Sequence, residues 1–304
     1  MKVGVIMGGP SSEREISLLS GEEMLKGLDT EKYEPCRIEL HPREQLAAQL
    51  KGIDFALLAL HGSYGEDGTI QAELESLGIP YSGSGAASSS LCMDKHAAKT
   101  RLHAHGIPTP KWLLAHGLKE VSPADVRKLG YPVFVKPNAG GSSVGTLPAE
   151  NEASLRQAFQ EALRWDSSVL IEEYIEGQEI TCSILGGELL PILGIRSKTS
   201  AGWFDYKAKY EDGGAEEQVI HLPADLEARV RRTALDVYRV LECSVYARID
   251  MMLKDGIPYV LEANTLPGMT PASLLPKSAA AAGISFSRLL DRIIELSLLE
   301  RASG

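Results

Sequence analysis

Four cysteines in 304 residues, with no CxxC pair, leave no basis for a disulfide scaffold or a structural zinc site. Cys36, Cys92, Cys182 and Cys243 lie far apart in apolar runs, the pattern of buried free thiols in a reducing compartment. No stretch approaches the ~20 apolar residues of a membrane span. The opening run Met1-Lys2-Val3-Gly4-Val5-Ile6-Met7 is too short for a secretion signal and reads as a first strand. Nor is there a basic tract long enough to grip a nucleic-acid backbone, and the net charge of −10 favours solubility. Low-complexity segments and internal repeats are missing too. The expectation is a cytoplasmic protein that partners neither membrane nor nucleic acid.

What is present is an ordinary globular balance, 44% hydrophobic and 24% charged, with length for two or three domains of ~100–200 residues. Residues 1–92 alternate strand and helix. Strands are expected at Val3–Met7, Cys36–Leu40 and Phe55–Leu60, with helices at Arg14–Leu28 and up to Leu77. That βαβ order predicts an open α/β sheet, whose ligands bind beyond the carboxyl ends of the strands. The loops Gly8–Glu13 and His61–Gly68 fall at such ends. Residues 93–176 read as a small α+β lobe, with a helix Asp94–His105, strands Trp112–Ala115, Pro132–Lys136 and Val169–Glu173, and a helix Glu152–Leu163. Residues 177–304 hold strands Glu179–Leu185 and Glu188–Ile195 and helices Leu226–Leu241 and Phe286–Leu299. An irregular stretch at 196–217 contains Trp203, Phe204, Tyr206 and Tyr210, and its length suggests a lid.

The segments richest in chemistry lie near the C-terminus. Arg248-Ile249-Asp250 and Glu262-Ala263-Asn264 each alternate polar with apolar, the period of a half-buried strand, around the turn Lys254-Asp255-Gly256-Ile257-Pro258. Folding about Gly256 places Arg248 opposite Asn264 and Asp250 opposite Glu262. Two facing carboxylates repel unless a cation lies between them, and carboxylate plus amide oxygen suits Mg²⁺, which usually also takes substrate phosphates. A solvated hairpin with a surface ion pair is the alternative.

Gly140-Gly141-Ser142-Ser143-Val144-Gly145 offers backbone donors and hydroxyls that can wrap phosphate, although it is no P-loop and a flexible linker has the same composition. Lys136 just before it and Lys95 after Met93-Asp94 are candidate phosphate cations; alone, each reads as a surface lysine. Ile171-Glu172-Glu173-Tyr174-Ile175, followed by Glu179, is either a nucleoside-holding hinge or a plain edge strand.

Taken in order, these segments resemble the ATP-grasp enzymes and, among them, the D-alanine–D-alanine ligases. Gly8-Gly9, Ser12-Glu13-Arg14-Glu15, His61-Gly62, Gly65-Glu66-Asp67-Gly68 and Tyr81-Ser82-Gly83-Ser84-Gly85 carry the likeness first. Met93-Asp94-Lys95, Lys136-Pro137, Gly141–Gly145, Ala208-Lys209-Tyr210, Arg248–Asp250, Leu261–Thr265 and Pro267–Thr270 carry the rest. The resemblance implies an N-terminal α/β domain followed by a two-lobed ATP-grasp fold. It also implies joining of two D-alanines through an acyl phosphate, with ATP as co-substrate and two Mg²⁺ or Mn²⁺ ions, in a homodimer serving peptidoglycan synthesis.

Carried over by position, Glu13 would hold the first substrate's ammonium and His61 would sit beside its carboxylate. Ser142 and Tyr210 would link to Glu13 and close the lid. Lys95, Lys136 and Lys209, with the loop residues Ser142 and Ser143, would meet phosphates. Glu172 and Glu173 belong to the adenine strand, and Glu179 to the ribose. Asp250, Glu262 and Asn264 would ligate metal. Arg248 and the Gly268 N–H would face the oxyanion, and Ser273 and Leu274 the second substrate. The chain departs from the pattern at Glu173, where many members carry a lysine able to donate to adenine, and at Asn138-Ala139. Tyr210 favours a dipeptide product over the D-lactate depsipeptide, whose ligases tend to carry phenylalanine there. A kinase on the same scaffold would not need Glu13, His61 and Ser273 together, and a nucleotide sensor would not need Arg248.

Overall fold

The computed structural model describes residues 1–41, 46–197 and 215–302. Lys209, Tyr210 and most of the expected lid lie outside these residues.

The chain opens with β1 (Lys2–Gly8), α1 (Arg14–Gly27), β2 (Glu34–Leu40), α2 (Leu46–Gln49), β3 (Phe55–Leu58), α3 (Thr69–Ser76) and α4 (Ala86–Met93). β1 is the centre of a parallel sheet of order β2-β1-β3. Val3, Val5, Ile6 and Met7 are all fully buried, as a strand covered on both faces requires. The chain leaves β1 to one side for β2 and returns to the other for β3. The carboxyl ends of β1 and β3 therefore flank a switch point, the place where open α/β sheets bind ligands. The expected strand Phe55–Leu60 ends at Leu58, so Ala59 and Leu60 are buried loop leading to His61.

The middle of the chain supplies α5 (Lys95–Ala104), β4 (Trp112–Ala115), α6 (Pro123–Leu129), β5 (Val133–Pro137), β6 (Leu147–Ala149), α7 (Glu152–Ala162) and β7 (Val169–Glu173). Its strands form an antiparallel sheet of order β4-β7-β5-β6, with α7 laying Leu155, Ala158 and Phe159 against it. Asn151 starts α7 with a reciprocal cap in which its side chain accepts from the Ala153 and Ser154 N–H groups.

The last part contains β8 (Gln178–Leu185), β9 (Glu188–Leu189), β10 (Leu193–Ser197), β11 (Ala215–Val219), α8 (Ala224–Val240), β12 (Tyr246–Lys254), β13 (Ile257–Asn264), α9 (Leu274–Ala281) and α10 (Phe286–Ala302). The sheet runs β11-β10-β8-β12-β13, with β9 on β8. One expected strand, Glu188–Ile195, is broken in two around Pro191, which cannot donate to a ladder. Strand structure also enters both flanks of the expected irregular segment, to Ser197 and from Ala215.

Two of the cores do not follow chain order. Ala98 and Leu102 of α5 pack with Ile180, Ile249 and Val260 of the last sheet. Leu289, Leu290, Ile293 and Ile294 of α10 pack with Val3, Ile6 and Phe55 of the first. All four cysteines are free. Cys36 is half-buried, while Cys92 and Cys243 bring their sulfurs to 3.9 Å.

Candidate active site

The expected site residues that the structure describes come from the carboxyl end of β1, from the starts of α5 and α9, from β5, β7, β8 and the β12–β13 hairpin, and from the loops between elements. Glu13 precedes α1 at the carboxyl end of β1 and is 7% exposed. Its N–H donates to the Ser11 hydroxyl at 3.1 Å. Its carboxylate accepts from the Ser142 hydroxyl of the glycine loop, so the first and middle parts of the chain meet there. Ser142 and Ser143 hold φ of +52° and +57°, left-handed backbone that costs non-glycine residues ~1–3 kcal/mol and persists where surroundings impose it. Gly62 has φ +69°, and a Cβ there would stand 2.4 Å from the Ser11 hydroxyl and 2.7 Å from a Glu13 carboxylate oxygen. His61 is buried between two partners, with Nε2 3.1 Å from the Ser20 hydroxyl and Nδ1 3.3 Å from Glu66.

Lys95 opens α5. Its ammonium donates to the Gly140 carbonyl at 2.5 Å and lies 4.0 Å from Glu262. Asp94 caps this helix by accepting from the Ala97 N–H, and Asn138 joins the cap by donating to Asp94 at 2.9 Å. The departure at Asn138-Ala139 thus falls on a residue that fixes Lys95. On the neighbouring sheet, Lys136 of β5 and Lys99 of α5 both donate to Glu172 of β7, which is 3% exposed. Burial opposes the Glu172 charge, but Lys136 and Lys99 hold its carboxyl below the usual carboxylate range.

The hairpin has the expected register, Arg248 opposite Asn264 and Asp250 opposite Glu262, with an irregularity after Asp250. Asp250 is surrounded by donors. Arg248 reaches it from Nε at 2.9 Å and Nη2 at 2.8 Å, Thr181 at 2.6 Å and the Asn264 amide at 3.2 Å. A half-turn of the Asn264 amide, whose oxygen and NH₂ are alike in size, would bring its oxygen to where its NH₂ now meets Asp250, as a metal ligand there would need. Two carboxylates and an amide oxygen on one hairpin fit a hard divalent ion. Past the hairpin, the Ser273 hydroxyl accepts from the Thr270 N–H at 3.1 Å, and a Cβ on Gly268 would stand 3.0 Å from it. Leu274 buries its side chain with Leu193 and Ile195.

A cavity of about 720 Å³ brings together residues expected to meet nucleotide and metal, while Glu13, His61, Ser142, Arg248, Asn264, Gly268 and Ser273 are not part of its wall. Its walls include Lys95, Lys136, Ser143, Glu172, Glu179 and Asp250, and Glu173 and Glu262 also reach it. Glu173 is partly engaged, accepting from the Lys111 N–H at 3.2 Å. Three neighbours went unanticipated from sequence: Lys99, Thr181 and Glu66. Lys99 carried a usable signal, since it follows Lys95 by four residues and so shares a helix face. Thr181 had none, because its place opposite Asp250 is a register between strands far apart in sequence.

An α/β domain feeding a cavity between two antiparallel lobes, with lysines on one wall and a carboxylate hairpin on the other, is the ATP-grasp architecture. Family models described as the N-terminus and C-terminus of D-ala D-ala ligase match residues 38–84 and 102–295. A D-alanine--D-alanine ligase of Bacillus anthracis is 55% identical over 301 residues, covering 99% of this chain and 98% of that protein. The crystal structure of a B. anthracis ligase complexed with ATP superposes with a TM-score of 0.91 at 51% identity, with complete coverage of both chains. The VanG D-Ala:D-Ser ligase of Enterococcus faecalis superposes at 0.82 with 30% identity, covering 97% of this chain and 99% of that one. The chain belongs to the D-alanine–D-alanine ligase family.

Proposed function

We propose that the chain joins two D-alanines at the expense of ATP, forming D-alanyl-D-alanine, ADP and phosphate for peptidoglycan precursors. The observation that carries this reading is the meeting of all three parts of the chain at one place. Glu13 takes the Ser142 hydroxyl, while Lys95 touches the same glycine loop and approaches Glu262.

In the first step the carboxylate of one D-alanine attacks the γ-phosphorus of ATP, and ADP leaves. Glu13 holds that substrate's ammonium, and His61, oriented by Ser20 and Glu66, stands beside its carboxylate. Lys95 and Lys136, with Lys209 by resemblance, balance the phosphate charge. Glu172 and Glu173 border the adenine, and Glu179 takes the ribose. Asp250, Glu262 and Asn264 would hold Mg²⁺ or Mn²⁺, two ions by resemblance, which when bound neutralise phosphate oxygens. In the second step the deprotonated amine of the other D-alanine, placed by Ser273 and the Leu274 backbone, adds to the acyl carbon. The oxyanion that forms faces Arg248 and the Gly268 N–H, and collapse expels phosphate. Tyr210 closes this network from the lid by resemblance, and its hydroxyl favours an amine acceptor over D-lactate. We place the enzyme in the cytoplasm as a homodimer. Among the described residues no helix is long and apolar enough to cross a membrane.

Incubation with ATP, Mg²⁺ and D-alanine should yield dipeptide, ADP and phosphate in equal amounts by mass spectrometry and phosphate assay. Accumulation of a stable phosphorylated product, or ATP consumption without dipeptide, would overturn the reading.

Gly62→Ala tests the Glu13 pocket. The left-handed backbone costs a side chain ~1–2 kcal/mol, and the new methyl crowds Ser11 and Glu13. A lowered urea midpoint is expected together with a raised KM for the first D-alanine and an unchanged KM for ATP. Equal KM values for D-alanine in variant and parent would mean that Glu13 does not hold that substrate.

A further inference from the structure

Lys99 is 2% exposed, more deeply buried than Lys95 or Lys136, and it is not part of the cavity wall. It nevertheless grips a residue that is. Glu172 receives Lys99 on one carboxylate oxygen and Lys136 on the other. Two ammonium groups thus share one carboxylate, and of the two only Lys136 lines the cavity. Lys99 is fixed in turn. It donates to the Thr109 hydroxyl at 2.6 Å, which donates to the Val260 carbonyl of β13 at 2.8 Å. Its ammonium also stands 5.2 Å over the Trp112 ring, a cation–π distance.

We propose that Lys99 is a positioning residue for nucleotide binding: by occupying one oxygen of Glu172, it stops that carboxylate from neutralising Lys136 and so keeps positive charge facing the nucleotide phosphates. The proposal rests on the reading of Lys136 as a phosphate partner. Without the Lys99 charge, Glu172 and Lys136 form a closed neutral pair, and the wall loses its attraction for an anion.

The charged groups around Lys99 are Glu172 and Glu173 on β7 and Lys136 on β5, and His96 and His103 of its own helix stand edge-on to the Trp112 ring that Lys99 covers. Burial draws the Lys99 ammonium down to about 8, against the pull of Glu172. As pH rises through that value Lys99 loses its charge, Glu172 is left to Lys136 alone, and nucleotide binding weakens. Folding responds with the opposite sign. The unfolded chain holds this proton more tightly than the folded one, so stability from this group rises with pH above about 8. Weakened binding there is therefore not unfolding of this region.

The test is calorimetric titration of Mg²⁺–ATP, without D-alanine, into the wild type, K99M, K99R and K136M from about pH 6.5 to about pH 9.5, a range that brackets this lysine. Losing one charged hydrogen-bonding partner corresponds to roughly tenfold in affinity or more. The wild-type Kd should rise by roughly that factor across the range. K99M should start roughly tenfold weaker and stay flat. K99R should match the wild type near neutrality and also stay flat, because guanidinium does not titrate there. A K99M protein that follows the wild-type curve within about twofold, while K136M loses affinity, would overturn the proposal and leave the Lys136 reading intact. Normal binding by K136M would overturn both. If neither Lys99 variant folds, the wild-type curve decides: an affinity independent of pH removes the proposal.

Discussion

Replacing Arg248 by alanine is expected to lower kcat by roughly 10²–10³-fold, the loss typical of one oxyanion donor. Arg248 grips both oxygens of Asp250 from Nε and Nη2, so alanine leaves that carboxylate to Thr181 and Asn264. The Kd for Mg²⁺–ATP at saturating metal should stay within a few-fold of the parent value, because the lost interaction belongs to charge that develops later. Arg248→Lys keeps a charge but not the fork that spans Asp250, and should recover only part of the rate. Steady-state kinetics with both D-alanine and ATP varied would check this. A normal kcat with a raised KM for ATP would reassign Arg248 to ground-state phosphate binding.

Glu262→Gln should raise the Mg²⁺ concentration for half-maximal activity at least about 10–100-fold, the range already seen for groups one shell removed from a metal. The thermal midpoint should hardly move, since Glu262 is partly exposed and glutamine preserves its volume. Rate should return at high Mg²⁺. Removal of divalent ions by chelation should abolish turnover, and Mg²⁺ or Mn²⁺ should restore it. Near-normal activity of the variant at limiting Mg²⁺ would show that the hairpin does not carry the cation.

Much of this arrangement was legible from the residues. The Arg248–Asn264 and Asp250–Glu262 pairings followed from period-two alternation around a glycine turn, because register and turn together leave few options. β7 was bounded correctly at Val169–Glu173 by its β-branched and aliphatic run. Local pattern failed where tertiary burial decides. No element was expected at Ala86-Ala87-Ser88-Ser89-Ser90, yet it forms α4, whose Ser88 hydroxyl donates to the Leu241 carbonyl at 2.8 Å. The α9 segment carries Pro276, which a helix tolerates only in its first turn, and there it lies. α6 begins on Pro123 behind a Ser122 cap, a start signal that the short, polar helix did not reinforce. In the site, charge type was readable and charge partnership was not. Lys136 was expected to answer phosphate, but its bond to Glu172 and that residue's second bond to Lys99 join elements 36 and 73 residues apart.

The packing of α10 beneath the first sheet bears on how the chain can be made. Val3, Ile6 and Phe55 are among the early residues to emerge during synthesis, but their core includes Leu289, Leu290, Ile293 and Ile294. Arg301, nearly the last described residue, lies 3.6 Å over the Tyr81 ring and donates to the Gly83 carbonyl at 2.9 Å. The sheet of β1, β2 and β3 is therefore completed only by residues made long after it. It must wait, with apolar surface uncovered, until α10 leaves the ribosome, the interval in which nascent chains are most open to aggregation and to chaperones.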